Sequence, residues 1–353
     1  MYGLLSLAFR LLFVRKFWNL EKLTTTNHIL LSLARTAEQK GLDVLCLLNK
    51  ANIDPGFLQA PHLRISTQKL ADFVRFISNE LQDENLGLCP YPARPGTFFT
   101  MGELVIHQPN LDSALRRGLR FFDQVMDGYR IELVVEGETA ALVLYQPYLH
   151  LDPDHLLTDL VLLAFHRFFS WLIGDNIVLL STEFTYSPPA YIDEYKFLFP
   201  SQHQFCQAHS SLRFHVSYLQ RPVIQNKKTL KAFMYQCPAI LFVRPRSDKS
   251  LATRVHKLIQ KNMDNGIPDL KRVANLLSMS NRTVRRKLKE EGTSFQALKD
   301  LVRRDVAIDY LVHHASPVGT VAERLGYSEP GVFVRAFKKW TGSTPGTYRK
   351  YHR

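Results

Sequence analysis

The stretch SMSNRTVRRKLKEEG, Ser278 to Gly292, puts Arg282, Arg285, Arg286, Lys287 and Lys289 within little more than two turns of a helix that starts behind a serine. A run of cations is by default a solvated face. It reads differently when the same design recurs, and here it does. VANLLSMSNRTVRRKLKEEG, from Val273, aligns with VAERLGYSEPGVFVRAFKKWTG, Val321 to Gly342. Val273 matches Val321, Ala274 matches Ala322, Leu277 matches Leu325, and Ser280 matches Ser328, each serine expected as a helix cap. Past the turn, Arg286 matches Arg335, Leu288 matches Phe337 and Lys289 matches Lys338. One extra residue early in the second helix of the later copy, and another before Gly342, account for the register. Each copy reads as a short helix, a tight turn and a basic helix, the helix-turn-helix arrangement.

At about 3.6 residues per turn the faces can be placed. In the first copy Val284 and Leu288 face inward, Arg282, Arg286 and Lys289 lie opposite, and Arg285 is on the flank. In the second, Phe333, Ala336, Phe337 and Trp340 face inward, while Gly331, Arg335 and Lys338 lie opposite. Both copies therefore present an arginine at the same outward point. A solvated face needs no such coincidence, whereas major-groove reading requires it. Between the copies, SFQALKDLVRRDVAIDYLVHH predicts one helix from Phe295 to about Val312, a rod of about 27 Å, followed by a new helix that Ser316-Pro317 caps and starts. Two modules on such a rod could enter major grooves about 34 Å apart.

Outward from this module the composition changes. From Leu251 to Arg353 there are 20 Lys and Arg against 9 Asp and Glu, while the rest of the chain holds 25 against 23. The basic excess sits at one end, as a nucleic-acid footprint would. Val243–Ser250, VRPRSDKS, is polar and proline-punctured and is read as a linker. Before it, helical patterns (ILLSLARTAEQK, STQKLADFVRFISNEL capped at Ser66 or Thr67, NLDSALRRGLRFFDQVM capped near Asp112, HLLTDLVLLAFHRFFSWLIG ended by Gly174) alternate with strands. The clearest strand signal is YRIELVVEGETAALVLYQP, a hairpin turning at Glu136 to Glu138. The fold class expected is α+β: a mixed α/β amino-terminal domain over 24–242, a linker over 243–250 and an all-α domain over 251–353.

Residues 1–23 form an apolar and basic extension. Arg10, Arg15 and Lys16 interrupt its apolar run, and neither a leading charge nor a cleavage site frames it, so it is read as no signal peptide and no stable membrane anchor. The four cysteines, Cys46, Cys89, Cys206 and Cys237, form no C-x-x-C pair, which favours a reducing cytoplasm.

The region Leu258 to Arg349 resembles the DNA-binding domain of the AraC (arabinose-operon regulator) family, through the two copies above and the closing GSTPGTYR. Ile29 to Pro222 resembles the arabinose-binding-like effector domain of one branch of that family, on GLDVLCLLNKANID, ARPGTFFTMGELVIHQPNLDSALRRGLRFFDQV and EYKFLFPSQHQFCQAHSSLRFHVSYLQRPV. The resemblance implies an effector-responsive regulator of promoter DNA that activates by contact with RNA polymerase and, as often in the family, forms a homodimer through the effector domain. It fixes no effector and no cofactor. Carried over by position, the DNA contacts fall on Arg282, Arg285 and Arg286, with Thr283 and Lys289 beside them, and in the second copy on Pro330, Gly331, Val334 and Arg335. Gly331 and Val334 depart from a polar reader, since neither offers a side-chain hydrogen bond. The expectation is an asymmetric reader. The first helix takes guanines through arginine, and the second contributes Arg335, a backbone clamp by Lys338 and Lys339, and apolar contact with a thymine methyl.

Other candidates are weaker. His150, Asp152, Asp154 and His155 in HLDPDH could ligate a metal but read better as a polar loop capping the next helix. His166 could orient an effector, and Phe121, Phe122, Phe165, Phe168 and Phe169 could line its pocket; the competing reading is core packing. No catalytic motif is present, so no catalytic residue and no metal site is assigned. The alternative function is a DNA-modifying or DNA-repair enzyme on the same DNA-binding module. It would need an activated thiolate, for which Cys89 and Cys237 are the candidates.

Overall fold

The computed structural model describes residues 24–60, 63–242, 251–263, 267–291 and 293–352. The extension 1–23 and the linker 243–250 lie outside them.

The chain enters through β1 (Thr24–Thr26), then α1 (His28–Gln39) and α2 (Val44–Lys50), and returns in β2 (Arg64–Ser66), which pairs antiparallel with β1. α1 is amphipathic: Ile29, Leu30, Leu33, Ala34 and Ala37 are buried. Then come α3 (Thr67–Leu81), α4 (Thr97–Val105) and α5 (Leu111–Val125). The hairpin follows as β3 (Arg130–Glu136) and β4 (Thr139–Tyr145), turning through Gly137 at φ 57°. α6 (Leu156–Leu172) is apolar nearly all round and accordingly buried. The chain leaves it through Gly174 at φ 62°, a conformation glycine adopts without Cβ strain.

β5 (Leu179–Glu183), α7 (Ile192–Leu198), β6 (Gln202–Gln204) and β7 (Ser210–His215) complete a five-stranded sheet in the order β3-β4-β7-β5-β6. Only β5–β6 is parallel. Ala140, Leu142 and Leu144 of β4 and Leu212 and Phe214 of β7 join one core with Leu115 and Phe122 of α5 and Phe165, Phe168 and Phe169 of α6. α8 (Lys227–Gln236), held by an Asn226–Thr229 capping box, closes this part.

The carboxyl-terminal part has only helices among the described residues: α9 (Leu251–Lys261), α10 (Leu270–Leu276), α11 (Asn281–Glu290), α12 (Phe295–Ile308), α13 (Val318–Arg324), α14 (Pro330–Thr341) and α15 (Pro345–His352). Its apolar residues form two clusters. Val255, Val273, Val284, Leu288 and Val302 belong to one; Leu311, Val321, Phe333, Phe337 and Tyr348 belong to the other. Each helix-turn-helix copy therefore has its own core, and α12 passes from one to the other.

Several local expectations need correction. The rod does not remain α-helical to Val312: it ends at Ile308, and Asp309–His313 widens into a π-helical turn. The chain must leave the helix before Pro317. Ala315 takes φ 49°, and His314 N–H to the Asp309 carbonyl (3.3 Å) and Ser316 N–H to the Tyr310 carbonyl (2.9 Å) close the wider loop. Ser316 is not the cap of α13; Pro317 holds that position without a side-chain bond, and the Ser316 carbonyl accepts from Arg349. At α5 the cap is Asn110, whose side chain accepts from Ser113 N–H at 3.0 Å, while Asp112 lies in the first turn and pairs with Arg116. Ser66 stands at the cap position of α3 without a cap bond. No helix among the described residues is long and apolar enough to cross a membrane.

Candidate nucleic-acid interface

The two copies share backbone detail that identity alone did not require. In the first turn Ser278 takes φ 54°; in the second, Gly326 takes φ 75°. In the first, Met279 N–H reaches the Ala274 carbonyl at 2.9 Å; in the second, Tyr327 N–H reaches the Ala322 carbonyl at 3.0 Å. Buried Val273, Ala274 and Leu277 are matched by buried Val321, Ala322 and Leu325. One turn geometry thus sets the second helix of each copy against the first.

The entries into those second helices differ. Ser280 caps α11: its hydroxyl accepts from Thr283 N–H at 3.1 Å and lies 2.8 Å from the Thr283 hydroxyl. Thr283 therefore also supports the start of the helix. Ser328, expected as the matching cap, is not one. α14 starts at Pro330 with Glu329 at the cap position and no side-chain bond. Proline at the first position has no N–H to satisfy and brings its own φ, so a cap has less to do.

Along α11, Val284 and Leu288 are fully buried, and Arg282, Arg285, Arg286 and Lys289 are exposed. Along α14, Phe333 and Phe337 are fully buried, while Gly331, Arg335, Lys338 and Lys339 are exposed. Ala336 and Trp340, expected to face inward, are half-buried at the edge, and Val334 is half-buried too. A Cβ added at Gly331 would meet nothing nearer than an Arg335 nitrogen at 4.0 Å, so the second face opens on a small, uncrowded surface.

The first face repels itself. Arg282 lies three and four residues from Arg285 and Arg286, and Lys289 lies four and three from the same pair. Like charges at these spacings cost about 0.2–0.5 kcal/mol each in an isolated helix. Among the described residues Arg282, Arg285 and Lys289 form no ion pair, while Arg286 does have a partner. The arrangement is one that a polyanion stabilises. Behind the second face, Arg303 of α12 lies over the Tyr327 ring at 4.8 Å and Arg324 over Tyr310 at 4.6 Å. Arg303 in this way ties the rod to the second module, and Arg324 ties α13 to the π-helical turn. Sequence reading missed both, although the arginines and tyrosines were visible.

The amino-terminal candidates fall into place as structure. The Asp152 carboxylate accepts from the N–H groups of Leu157 and Thr158 at the start of α6, and Asp154 pairs with Arg35 at 2.6 Å. His155 stacks on Tyr186 with ring centroids 3.9 Å apart, and His150 is exposed. His166 has both nitrogens engaged: Nε2 lies 2.7 Å from the Ile177 carbonyl, and Nδ1 faces Arg167. Burial, helped by the Arg167 charge, lowers its pKa to about 3, so the ring is neutral, with Nε2 donating and Nδ1 accepting. Phe122, Phe165, Phe168 and Phe169 are buried and Phe121 is half-buried against them. The void beside Phe165, His166 and Phe169 has room for about one water molecule, too little for an aliphatic effector in this arrangement.

Deeper in α6, Asp159 is fully enclosed and accepts from the Tyr186 hydroxyl (2.7 Å) and the Tyr195 hydroxyl (2.8 Å). Burial pushes its carboxyl up to about 7. Burial likewise raises the thiols of Cys89 and Cys237 to about 12, the opposite of what a transferase nucleophile needs.

With this geometry in view, the carboxyl-terminal part is a tandem helix-turn-helix module with two exposed basic helices. Residues 273–351 match a helix-turn-helix domain model. Residues 41–223, more than half of the chain, match the arabinose-binding domain found at the amino terminus of AraC transcription regulators. The chain belongs to the AraC family of transcription regulators and is a DNA-binding regulator of transcription. It is 28% identical over 320 residues to the ornithine utilization regulator of Pseudomonas aeruginosa, covering 88% of this chain and 91% of that one. It is 39% identical over 82 residues to the regulator VqsM of the same species, covering 23% and 25%. Among solved structures, a DNA-binding dual regulator of Escherichia coli K-12 is 31% identical and covers 29% of this chain and 98% of that one, with a TM-score of 0.28.

Proposed function

We propose that the protein is an effector-responsive activator whose domains divide as 24–242 for effector binding and dimerisation, 243–250 for the linker and 251–353 for DNA reading. Its two reading helices enter adjacent major grooves of promoter DNA. The duplicated turn, which leaves Arg286 and Arg335 exposed at matching positions, carries this reading. In this reading Arg282, Arg285 and Arg286 address guanine N7 and O6, with Lys289 on the flanking phosphates. In the second helix Arg335 reads, Gly331 and Val334 face a thymine methyl, and Lys338 and Lys339 hold the backbone. In this reading the protein works in the cytoplasm, as its cysteine usage suggests, and acts as a homodimer whose activation step is contact with RNA polymerase, the last two points resting on family membership.

The effector acts by population shift, binding the DNA-competent arrangement better than the other. The relative named for ornithine utilization makes amino-acid-type metabolites the first class to screen, by thermal shift on the full chain. No enzymatic role is assigned, since the candidate thiols are disfavoured as nucleophiles. The test of the DNA reading is gel retardation with upstream chromosomal fragments over a salt series. A sequence-selective complex with a steep negative slope of log K against log salt is expected. Absence of any selective complex at every salt concentration would refute it.

A further inference from the structure

The five-stranded sheet has two edges, and they are unlike. At one, β6 is three residues long and polar, Gln202–Gln204. At the other, β3 runs for seven residues, Arg130–Glu136, and among the described residues no strand lies on its outer side. A long open edge is a template for another strand, and proteins usually shorten or cover it.

The hairpin fixes which backbone groups of β3 point outward. Glu136 and Thr139 flank a two-residue turn, so they form a hydrogen-bonded pair, and the pattern alternates from there. Arg130, Glu132, Val134 and Glu136 bond to β4. The N–H and C=O groups of Ile131, Leu133 and Val135 point away from the sheet. β4 obeys the same alternation: the Glu138 carbonyl, next to Thr139, turns the other way and accepts from Val216 N–H at 2.8 Å.

We infer that β3 pairs antiparallel with β3 of a second copy of this chain, about a two-fold axis at Leu133. The inference rests on the homodimer proposed above and names the surface that forms it. Leu133 then faces the partner's Leu133, Ile131 faces the partner's Val135, Glu132 the partner's Val134, and Arg130 the partner's Glu136. The outward groups of these pairs supply about six hydrogen bonds. Charge selects the register. Opposite charges meet at both ends of the seam, and no like charges stand directly opposite one another. Sliding by two residues one way sets Glu132 against the partner's Glu132. Sliding the other way sets it against the partner's Glu136. A one-residue slide matches outward groups with groups already bonded to β4.

The apolar side chains fit the same seam. Val135 is 42% exposed, and the pairing brings it opposite Ile131, at the end of β3 where α5 stops in Val125, 47% exposed. The Arg130–Asp123 contact at 3.9 Å places that end of α5 beside the strand. Arg130 also pairs with Glu132 of its own strand, which tempers the negative charge at the middle of the seam.

The test follows the full-length protein by sedimentation velocity over a concentration series. Arg130→Glu and Glu136→Arg each put like charges at both ends of the seam, and each should raise the dimer dissociation constant about tenfold. An equimolar mixture of the two variants restores opposite charges at both ends, so heterodimers should form as readily as wild-type dimers, with native mass spectrometry telling them from homodimers. Hydrogen exchange over Arg130–Glu136 should be slow in the wild-type dimer and quicker in each single variant, while β7 keeps its protection and so reports an intact fold. Val135→Lys, at an exposed position, should weaken the dimer independently and decides the matter if a charge variant fails to fold. A dimer that none of these changes weakens, or single variants that the mixture does not rescue, would overturn the β3 seam and leave the homodimer itself standing. A wild type that is monomeric at every concentration would bring down the homodimer reading together with it.

Discussion

The two helix-turn-helix modules share one turn and invest in opposite ends of the same plan. The first has an aliphatic core around Val284 and Leu288, a serine cap and four exposed cations on its reading helix. The second has an aromatic core of Phe333, Phe337 and Tyr348, a proline start, two arginine–tyrosine contacts and a reading face that opens with glycine. Exposed positive charge is concentrated in the first, and aromatic packing in the second. A duplication evidently need not keep both copies equally good at both tasks when one rod holds them together.

The largest effects should come from the cores. Phe337→Ala is expected to cost about 3–5 kcal/mol and the equivalent Leu288→Ala about 2–5 kcal/mol, since both side chains are fully buried. Denaturant unfolding of the two variants, followed by hydrogen exchange in α11 and α14, reads the difference. If Leu288→Ala proves the costlier of the two, the aromatic core is the weaker one.

Next come the readers. Arg286→Ala should remove about 1–3 kcal/mol of discrimination at one base position, whereas Lys338→Ala should weaken all sequences alike and lower the salt slope by about one. Competition binding with single-base operator variants decides it. The contrast fails if Arg286→Ala leaves sequence preference intact while Lys338→Ala abolishes it.

Smaller still is the cap comparison. Ser280→Ala should destabilise by about 1 kcal/mol, and Ser328→Ala should stay within about 0.5 kcal/mol of wild type. Two melting curves suffice, and equal losses would mean that Ser328 caps in solution after all. Last, Gly331→Ala should stabilise α14 by up to about 1 kcal/mol, because a helical glycine is replaced where its Cβ meets open space. A lower melting temperature would show that the open surface at the second face is misjudged.

Much of this was legible in the sequence because it is local. The hairpin at Arg130–Tyr145, the long apolar α6 and both turns follow from periodicity and turn residues within a short window. So did the outward placement of Arg286 and Arg335, since helical phase carries over one or two turns. Features decided by distant partners were not legible. The parallel pairing of β5 with β6 depends on what α7 does between them. The choice of Asn110 over Asp112 as a cap depends on which residue is held extended, and Asn110 also bridges to Pro222. The π-helical turn depends on where the chain must go before Pro317. Arg64 on β2 carries no local signal at all, because its hydrogen-bond partners, Thr24 and Glu194, are 40 and 130 residues away in the sequence.

A single carboxylate ties α9 to α11. The Glu291 carboxylate, just past the end of α11, accepts from the N–H groups of Leu251 and Ala252, both at 2.8 Å. Leu251 is the first residue after the linker 243–250. The start of α9 is thereby fixed, through one side chain, to the tail of the helix bearing Arg282, Arg285 and Arg286. A displacement of the first residues of α9 is therefore passed to the helix that carries those arginines, and a displacement of that helix is passed back.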